Sequence, residues 1–485
     1  MTNPKTLLLV PPSKFSKNVA RDLVYGCWCK GKRIAGVTFP PVSLAMIATV
    51  LRKNGLDADV LDAAGEGLGL DEVLKETSQY DFCIMLTSSM TLNEDAEILD
   101  TVKRNNPRII TVVFGGHVTA EPKSTLSRKG IDIVVRREAE FIIKDIVSSF
   151  RSGDDWRKIM GISHMDDGKY YENPPYPLIE NLDDLSVPDR QLLSEKIDYF
   201  NPLVKRMPYT TMFTSRGCPG ACTFCSSPTF YGRSIRFMSA NRVLEEMKEC
   251  AKLGYREIFF RDEIFTASKS RVIEICEGIK KAKLDISWIC SSRINTIDKE
   301  MMVKMKEAGC HMIRFGVESG CQELLNNVKK GIKVEKIKEV FRWAREVRLD
   351  THAHMMIGIP GESHETLKRT LRFLKEIKPT TVTFGILTPY AGTELFDKLK
   401  EYHPEMGDGT TMDVSKLHTH AYYNEYFTKL TATELQKYIR KVYRNFYLNP
   451  RYIIRRLVSI RNKDEFKRTV LAGLDVFNFV FGKDD

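Results

Sequence analysis

The sequence predicts an α/β chain of 485 residues: an N-terminal doubly wound domain, then a partial (β/α)6 barrel, then a small helical C-terminal region. Three observations carry this. Residues 6–150 alternate short apolar runs with helical patterns, as a parallel sheet covered by helices requires. From Tyr209 a strand and a helix recur about every 30 to 40 residues. After residue 405 the pattern becomes helical and basic. The domains are therefore placed at 1–150, 207–404 and 405–485, with 151–206 as a linker.

In the first domain strands are expected at Thr6–Val10, Asp57–Leu61, Phe82–Thr87, Ile109–Phe114 and Ile131–Val135, with helices at Pro41–Asn54 and Asn93–Asn105. Open sheets of this type bind ligands at the carboxyl ends of their strands, which directs attention to Thr87–Thr91, Gly115–Ala120 and Arg136–Glu140. Residues 151–206 carry NPPYP, VPDR and paired acids, and read as an irregular connection. Barrel strands are expected at Tyr209–Ser215, Glu257–Arg261, Ser287–Ser291, Met312–Val317, Thr351–Ile357 and Thr381–Leu387. Helices at Ala240–Leu253, Ser268–Ala282 and Glu365–Ile377 lie between them. Six such units make three quarters of a closed barrel, whose active site would gather at the strands' carboxyl ends. The missing quarter leaves room for a bulky substrate.

The stretch on which the rest depends is Met207–Ser227, MPYTTMFTSRGCPGACTFCSS. It sets Cys218, Cys222 and Cys225 at C-x3-C-x2-C spacing in one loop. Three thiolates can ligate three irons of a cubane iron–sulfur cluster and leave the fourth iron without a protein ligand. A closed zinc site would need a fourth Cys or His, and none follows within the next 20 residues. Gly217, Pro219 and Gly220 supply loop geometry, and Phe224 places an aromatic ring beside the cluster.

This segment resembles the cluster-binding signature of the radical S-adenosylmethionine superfamily. The resemblance implies a 4Fe–4S cluster whose open iron chelates the amino and carboxylate groups of S-adenosylmethionine. Reductive cleavage would then yield a 5′-deoxyadenosyl radical, with an external electron donor such as flavodoxin or ferredoxin. Polar residues sit at the barrel strand ends: Asp262 and Glu263 after the second, Arg293 after the third, and Glu318 in RFGVESG of the fourth. Each alone reads as an ion pair at a rim. The resemblance implies that they contact S-adenosylmethionine, and Arg293 could pair bidentately with its carboxylate. IGIPGES ends the fifth strand, where Gly358 and Gly361 would let the backbone approach the adenine. Tyr390, in TFGILTPYAGTEL after the sixth, is the catalytic, substrate-facing candidate. His352 and His354 alternate within a strand and so share a face.

In the first domain the order FPPVSLAMIATVLRKNGLDADVLDA, TSSMT, VVFGGHVTAEP, DIVVRREAE resembles the cobalamin-binding domain fused to many radical enzymes. It implies cobalamin contacts from Thr87, Ser88, Gly115, Gly116 and Glu138. There are two departures. None of the nine histidines lies in the loop after the first strand, so a cobalt-ligating Asp-x-His-x-x-Gly loop is missing. Arg137 stands where many relatives show Gly. Cys27 and Cys29, in that same loop, read as two free thiols.

Composition is that of a soluble globular protein, 42% hydrophobic and 28% charged, and no apolar run reaches the length of a membrane span. No secretory signal opens the chain, and eleven scattered cysteines then argue for reduced thiols in the cytoplasm. The net charge of +11 is concentrated: Tyr438–Arg468 holds ten Lys or Arg against two acids. That segment interleaves aromatics with Arg, which suits RNA contact, peripheral membrane contact, or a helix packed on the barrel with its Arg face in water. FYLNPRYIIRRL resembles the C-terminal region of the branch holding the anaerobic magnesium-protoporphyrin ester cyclase and hopanoid-pathway enzymes. The expected function is methylation of an unactivated carbon on a bulky, apolar or polycyclic small molecule. Radical cyclisation or oxidation is the alternative. An RNA methylthiotransferase is a weaker one, because Cys27, Cys29 and Cys83 are poorly spaced for a second cluster; nucleic acid is not the expected partner.

Overall fold

The computed structural model describes residues 3–13, 37–411, 420–460 and 462–482; Cys27 and Cys29 lie outside them. Seven strands form the first sheet: β1 (Lys5–Val10), β2 (Asp57–Asp62), β3 (Phe82–Leu86), β4 (Ile110–Phe114), β5 (Ile133–Val135), β6 (Ile162–Asp166) and β7 (Lys169–Glu172). Their order is β2-β1-β3-β4-β5-β6-β7. The first five are parallel, with Leu8 beside both Val60 and Ile84. Chain direction along the sheet reverses between β1 and β3, the crevice where such sheets bind ligands. Both faces are covered, so β1, β3 and β4 read as continuous apolar runs. The antiparallel β6–β7 hairpin departs from the expected irregular connection. Asp167 and Gly168 turn it with φ of 46° and 76°, the Asp-Gly pair that a two-residue hairpin favours.

The second sheet holds β8 (Tyr209–Met212), β11 (Glu257–Phe260), β12 (Ser287–Ser292), β13 (Cys310–Glu318), β14 (Asp350–Ile357) and β15 (Thr381–Ile386). All are parallel, in sequence order. A two-residue ribbon, β9 (Ser215–Arg216) with β10 (Arg236–Phe237), brackets the cysteine loop. Helices at Ala240–Lys252, Lys269–Lys281, Lys299–Glu307, Val334–Val347 and His364–Ile377 cover the outer face. Trp288, Phe260, Phe265, Phe315 and Phe341 are fully buried between helices and sheet. Each contributes about 1.5–3 kcal/mol.

The half-barrel leaves β15 as an edge with unpaired backbone. Helix Ala432–Tyr447 covers it: the Tyr447 hydroxyl accepts from Val382 N (3.0 Å) and donates to its carbonyl oxygen (2.5 Å), and the Tyr443 hydroxyl does the same at Phe384 (3.2 Å each). The aromatic residues of the basic segment are thus partly a lid on a sheet edge. Beyond them, helices Pro450–Ser459 and Lys463–Phe481 leave Ile454, Val458, Leu474 and Phe477 half or more exposed. Among the described residues no helix is long and apolar enough to cross a membrane.

Candidate active site

The carboxyl ends of the two parallel sheets face each other. Ala120 from the first domain, Phe224 from the cysteine loop, Met356 from β14 and Leu387 and Ala391 beyond β15 meet in one apolar cluster. A buried ion network clamps this arrangement. Glu138 accepts from Arg216 (3.1 Å), from both Arg236 terminal nitrogens (2.8 and 2.9 Å) and from Ile179 N (2.7 Å), while Glu140 also pairs with Arg216. Burial acts to raise the Glu138 carboxyl; Arg216 and Arg236 outweigh that and hold it below its ordinary value. Glu138, expected at cobalamin, therefore sits in an interdomain brace.

Backbone geometry builds the cysteine loop. Gly217 has φ of 93°, and a side chain there would come within 2.1 Å of the Ser234 carbonyl oxygen. Asp262, fully buried, accepts from Thr214 N (2.7 Å), Thr214 Oγ1 (2.5 Å) and Ser215 Oγ (2.8 Å). It ties the end of β11 to the residues leading into Cys218, so it acts by positioning the loop. Arg293 points its Nη1 at Cys222 Sγ (3.8 Å) and its Nη2 at the Lys330 carbonyl oxygen. A Cβ on Gly220 would lie 2.4 Å from that Nη1, so the glycine makes room for the guanidinium. Gly220 N donates to Cys218 Sγ at 3.3 Å. Burial pushes the Cys225 thiol up to about 12 and the Cys218 thiol upward, and a bound cation would counter that shift and favour the thiolates. Among the described residues no three His, Cys, Asp or Glu side chains converge as a single-ion site requires; the three sulfurs suit a cluster in which each iron takes one thiolate. Glu263 is half-buried and its charge acts on Cys218 and Cys225.

Glu318 occupies a strained position. Its φ is 62°, at an irregularity in the β13–β14 register, and its buried carboxylate accepts from Lys330 Nζ at 2.6 Å. Burial acts to lower the Lys330 ammonium; Glu318 and the Cys222 sulfur outweigh it. Lys330 Nζ lies 5.9 Å from the Phe224 ring centre. Phe224 itself also packs on Cys321, Leu324 and Ile359. Gly358 and Gly361 have φ of 76° and 85°. The space a Gly358 side chain would take is held by Asn424, which donates to Gly358 O (3.0 Å) and Leu387 O (2.8 Å). The Glu362 carboxyl below them is pushed up to about 8 by burial. Tyr390 is half-buried, and its carbonyl accepts from Thr393 Oγ1 at 2.7 Å.

On the first domain Thr87 donates to Asp95 (2.6 Å), Ser88 N and Oγ meet Thr91 Oγ1 (3.3 Å each), and Gly116 opens a short buried helix. At Gly115 a Cβ would stand 2.3 Å from the Thr87 carbonyl oxygen, so the two loops touch backbone to backbone. Arg137 has φ of 70°, which explains why Gly suits that position; the strain is held by a bond from its N to Thr119 Oγ1 (2.9 Å). His117 Nδ1 is 2.8 Å from Ser89 Oγ, while its Nε2 is buried with no hydrogen-bond partner. Burial pushes this imidazole down to about 4. The close backbone approach at Gly115, and an imidazole Nε2 that makes no hydrogen bond and lies 3.9 Å from the Asp408 carboxylate, fit strand ends that could receive a cofactor. Sequence reasoning singled out neither Lys330 nor His117. The GGH stretch held the signal for the second; nothing local marked the first.

Comparison with known proteins agrees with this geometry. Residues 212–374 match the radical SAM superfamily, and residues 33–147 match the B12 binding domain. The chain is 33% identical over 458 residues to an uncharacterized methyltransferase of Pyrococcus horikoshii, covering 93% of this chain and 94% of that one. It is 28% identical over 382 residues to the anaerobic magnesium-protoporphyrin IX monomethyl ester cyclase of Rubrivivax gelatinosus, covering 76% and 68%. In fold it is similar to the radical S-adenosylmethionine methyltransferase TsrM from Kitasatospora setae, at TM-score 0.69 and 19% identity over 82% of this chain and 78% of that one. The chain belongs to the cobalamin-dependent radical S-adenosylmethionine enzymes, whose cofactors are a 4Fe–4S cluster, S-adenosylmethionine and cobalamin.

Proposed function

We propose that the protein methylates an unactivated carbon of a bulky, largely apolar small molecule. The observation that carries this is the shared apolar cluster of Ala120, Phe224, Met356, Leu387 and Ala391, where the strand ends of both domains meet. A substrate there would meet both cofactor sites. When bound, the cofactors supply hydrogen-atom abstraction and a transferable methyl group. The chain's own residues hold and orient. Cys218, Cys222 and Cys225 would carry the cluster. Glu318 and Lys330, a compensated pair beside Cys222, would receive the amino and carboxylate ends of S-adenosylmethionine. Thr87, Ser88, Gly115 and Gly116 would line the cobalamin face. The apolar cluster keeps water from the reacting carbon.

The name of the Pyrococcus relative supports methyl transfer, and that of the Rubrivivax relative supports ring closure as the second reading. S-adenosylmethionine deuterated in its methyl group separates them. Methyl transfer predicts deuterated methylcobalamin and S-adenosylhomocysteine when the reduced, cobalamin-loaded protein is incubated without substrate. Deoxyadenosine alone, with no S-adenosylhomocysteine, would favour cyclisation or oxidation.

The C-terminal helices bear on where the substrate comes from. Ile453, Ile454, Leu457, Val458, Phe466, Val470, Leu471, Leu474, Phe477 and Phe481 are exposed beside Arg451, Arg455 and Lys467. Exposed apolar patches rimmed by cations suit the surface of an anionic bilayer. This supports peripheral contact with a membrane and a substrate drawn from it.

A further inference from the structure

The C-terminal region reaches the mouth of the half-barrel through a short segment, 422–429, that ties two strand ends together. Asn424 is buried there and opens a single 3-10 turn, Asn424–Tyr426. Its Nδ2 donates to Gly358 O (3.0 Å), just past β14, and to Leu387 O (2.8 Å), just past β15, while its Oδ1 accepts from Tyr422 N (2.8 Å). Both amide protons meet carbonyl oxygens and the amide oxygen meets an N–H, so the partners themselves fix the orientation of this side chain. The backbone completes the tie: Gly361 N donates to Phe427 O (2.7 Å), and Lys429 N donates to Glu362 O (2.8 Å).

The loop so held, Gly358–Glu362, has little freedom left. Glu362 Oε2 accepts from Gly358 N and from Ile359 N (3.3 Å), Ile359 O accepts from Glu362 N (2.9 Å), and Pro360 O accepts from Asn327 Nδ2 (2.7 Å). Gly358 thus has its N–H held from within the loop and its carbonyl held by Asn424, at a φ of 76° that glycine takes without strain. Ile359 is fully buried against Phe224, the residue before Cys225. The segment also reaches the apolar cluster: Tyr423 and Phe427 pack on it together with Phe224 and Met356, and all four keep an accessible face.

We propose that segment 422–429 is part of the S-adenosylmethionine site, with Asn424 as the positioning residue that presets the Gly358–Glu362 loop for the adenosyl half of the molecule. The inference rests on the reading of Glu318 and Lys330 as the seat of the amino and carboxylate ends. Glu318 is paired in register with Met355 of β14, so the strand end beside that seat is Ile357–Gly358. On the opposite side Arg293 closes on the Lys330 carbonyl and on Cys222. The adenosyl half therefore extends past Phe224, whose ring centre is 5.9 Å from Lys330 Nζ, to the loop that Asn424 holds. A loop set in advance loses less conformational freedom on binding than a free one. Asp at position 424 keeps the shape but turns a carboxylate toward two buried carbonyl oxygens, and Ala removes the two donors alone.

The test uses the two halves of the cofactor, 5′-deoxyadenosine and L-methionine, on the full chain reconstituted with its cluster and cobalamin. Equilibrium dialysis measures their binding, and hydrogen–deuterium exchange read by mass spectrometry follows the amides of 355–363 and 424–430. In the wild type 5′-deoxyadenosine should slow exchange in both stretches, because the Gly361 and Lys429 amides join them. In Asn424→Ala and Asn424→Asp its binding should weaken about tenfold, while methionine binding and iron content stay within about twofold. A residue that merely held the fold together would lower both ligands and the iron alike. Methionine binding with unchanged exchange at 355–363 on adding 5′-deoxyadenosine overturns the proposal and leaves the amino acid seat standing; absence of methionine binding overturns both. Equal loss of the two ligands in the variants, or unchanged 5′-deoxyadenosine binding in both, overturns the role of Asn424. Should neither variant fold, the wild type decides: slowed exchange at 424–430 supports the proposal, and unchanged exchange there overturns it.

Discussion

Glu138→Ala separates two roles for one carboxylate. The position was expected to contact cobalamin, and the structure gives it four hydrogen bonds that join the first domain to Arg216, Arg236 and Ile179. Its side chain is 3% exposed and the two arginines are 9% and 10% exposed. Breaking a buried pair by removing one partner costs about 3–5 kcal/mol. Arg216 keeps Glu140, and Arg236 keeps the Ile179 carbonyl at 2.6 Å, which puts the expected cost near the lower end, about 3 kcal/mol. For a cooperative unit of about 200 residues that is a fall in Tm of roughly 6–12 °C. Anaerobic thermal unfolding followed by circular dichroism, on protein without cobalamin, reads it directly. An unchanged Tm together with lost cobalamin binding would refute the brace and return Glu138 to the cofactor.

Three further outcomes follow from particular contacts. Lys330→Met leaves Glu318 buried without its counter-charge and should weaken S-adenosylmethionine binding at least about tenfold, with Lys330→Arg restoring part of it; equilibrium dialysis measures both. The Glu138 and Asp408 carboxyls are held below their ordinary values, Asp408 because bonds from Ser124 and Thr410 outweigh burial. Their stabilisation is complete above the unfolded carboxylate range and is lost as pH falls through the folded values, so Tm should drop below about pH 4, and Glu138→Gln should flatten that drop. Ile454→Asp with Val458→Asp removes two exposed side chains worth about 1.5 kcal/mol or more each on insertion, so binding to anionic phospholipid vesicles should fall roughly 100-fold in a sedimentation assay.

Much of the fold was legible because parallel sheets covered on both faces leave short apolar runs at a regular interval. β3, β4, β13 and β14 stand within a residue or two of their expected limits. The β6–β7 hairpin was missed because ISHM and KYYE alternate weakly; the Asp167-Gly168 turn was the better signal. At the site, cysteine spacing carried the chemistry, but roles that depend on distant partners were invisible. Glu138 meets Arg216 and Arg236, 78 and 98 residues away. Asp262 turns out to serve the loop through Thr214 and Ser215, 48 and 47 residues before it. Lys330 pairs with Glu318 across a loop whose return path no local pattern records. The alternation of His352 and His354 correctly placed both on one face, while the Arg314 guanidinium that meets His354 comes from a neighbouring strand.

The most direct test of the central claim, that two cofactor sites meet at facing strand ends, is an iron, sulfide and cobalt count on protein reconstituted anaerobically with iron, sulfide and hydroxocobalamin. The account predicts about four iron and one cobalt per chain, with the iron lost and the cobalt kept in Cys222→Ala. Four iron with no cobalt would contradict it.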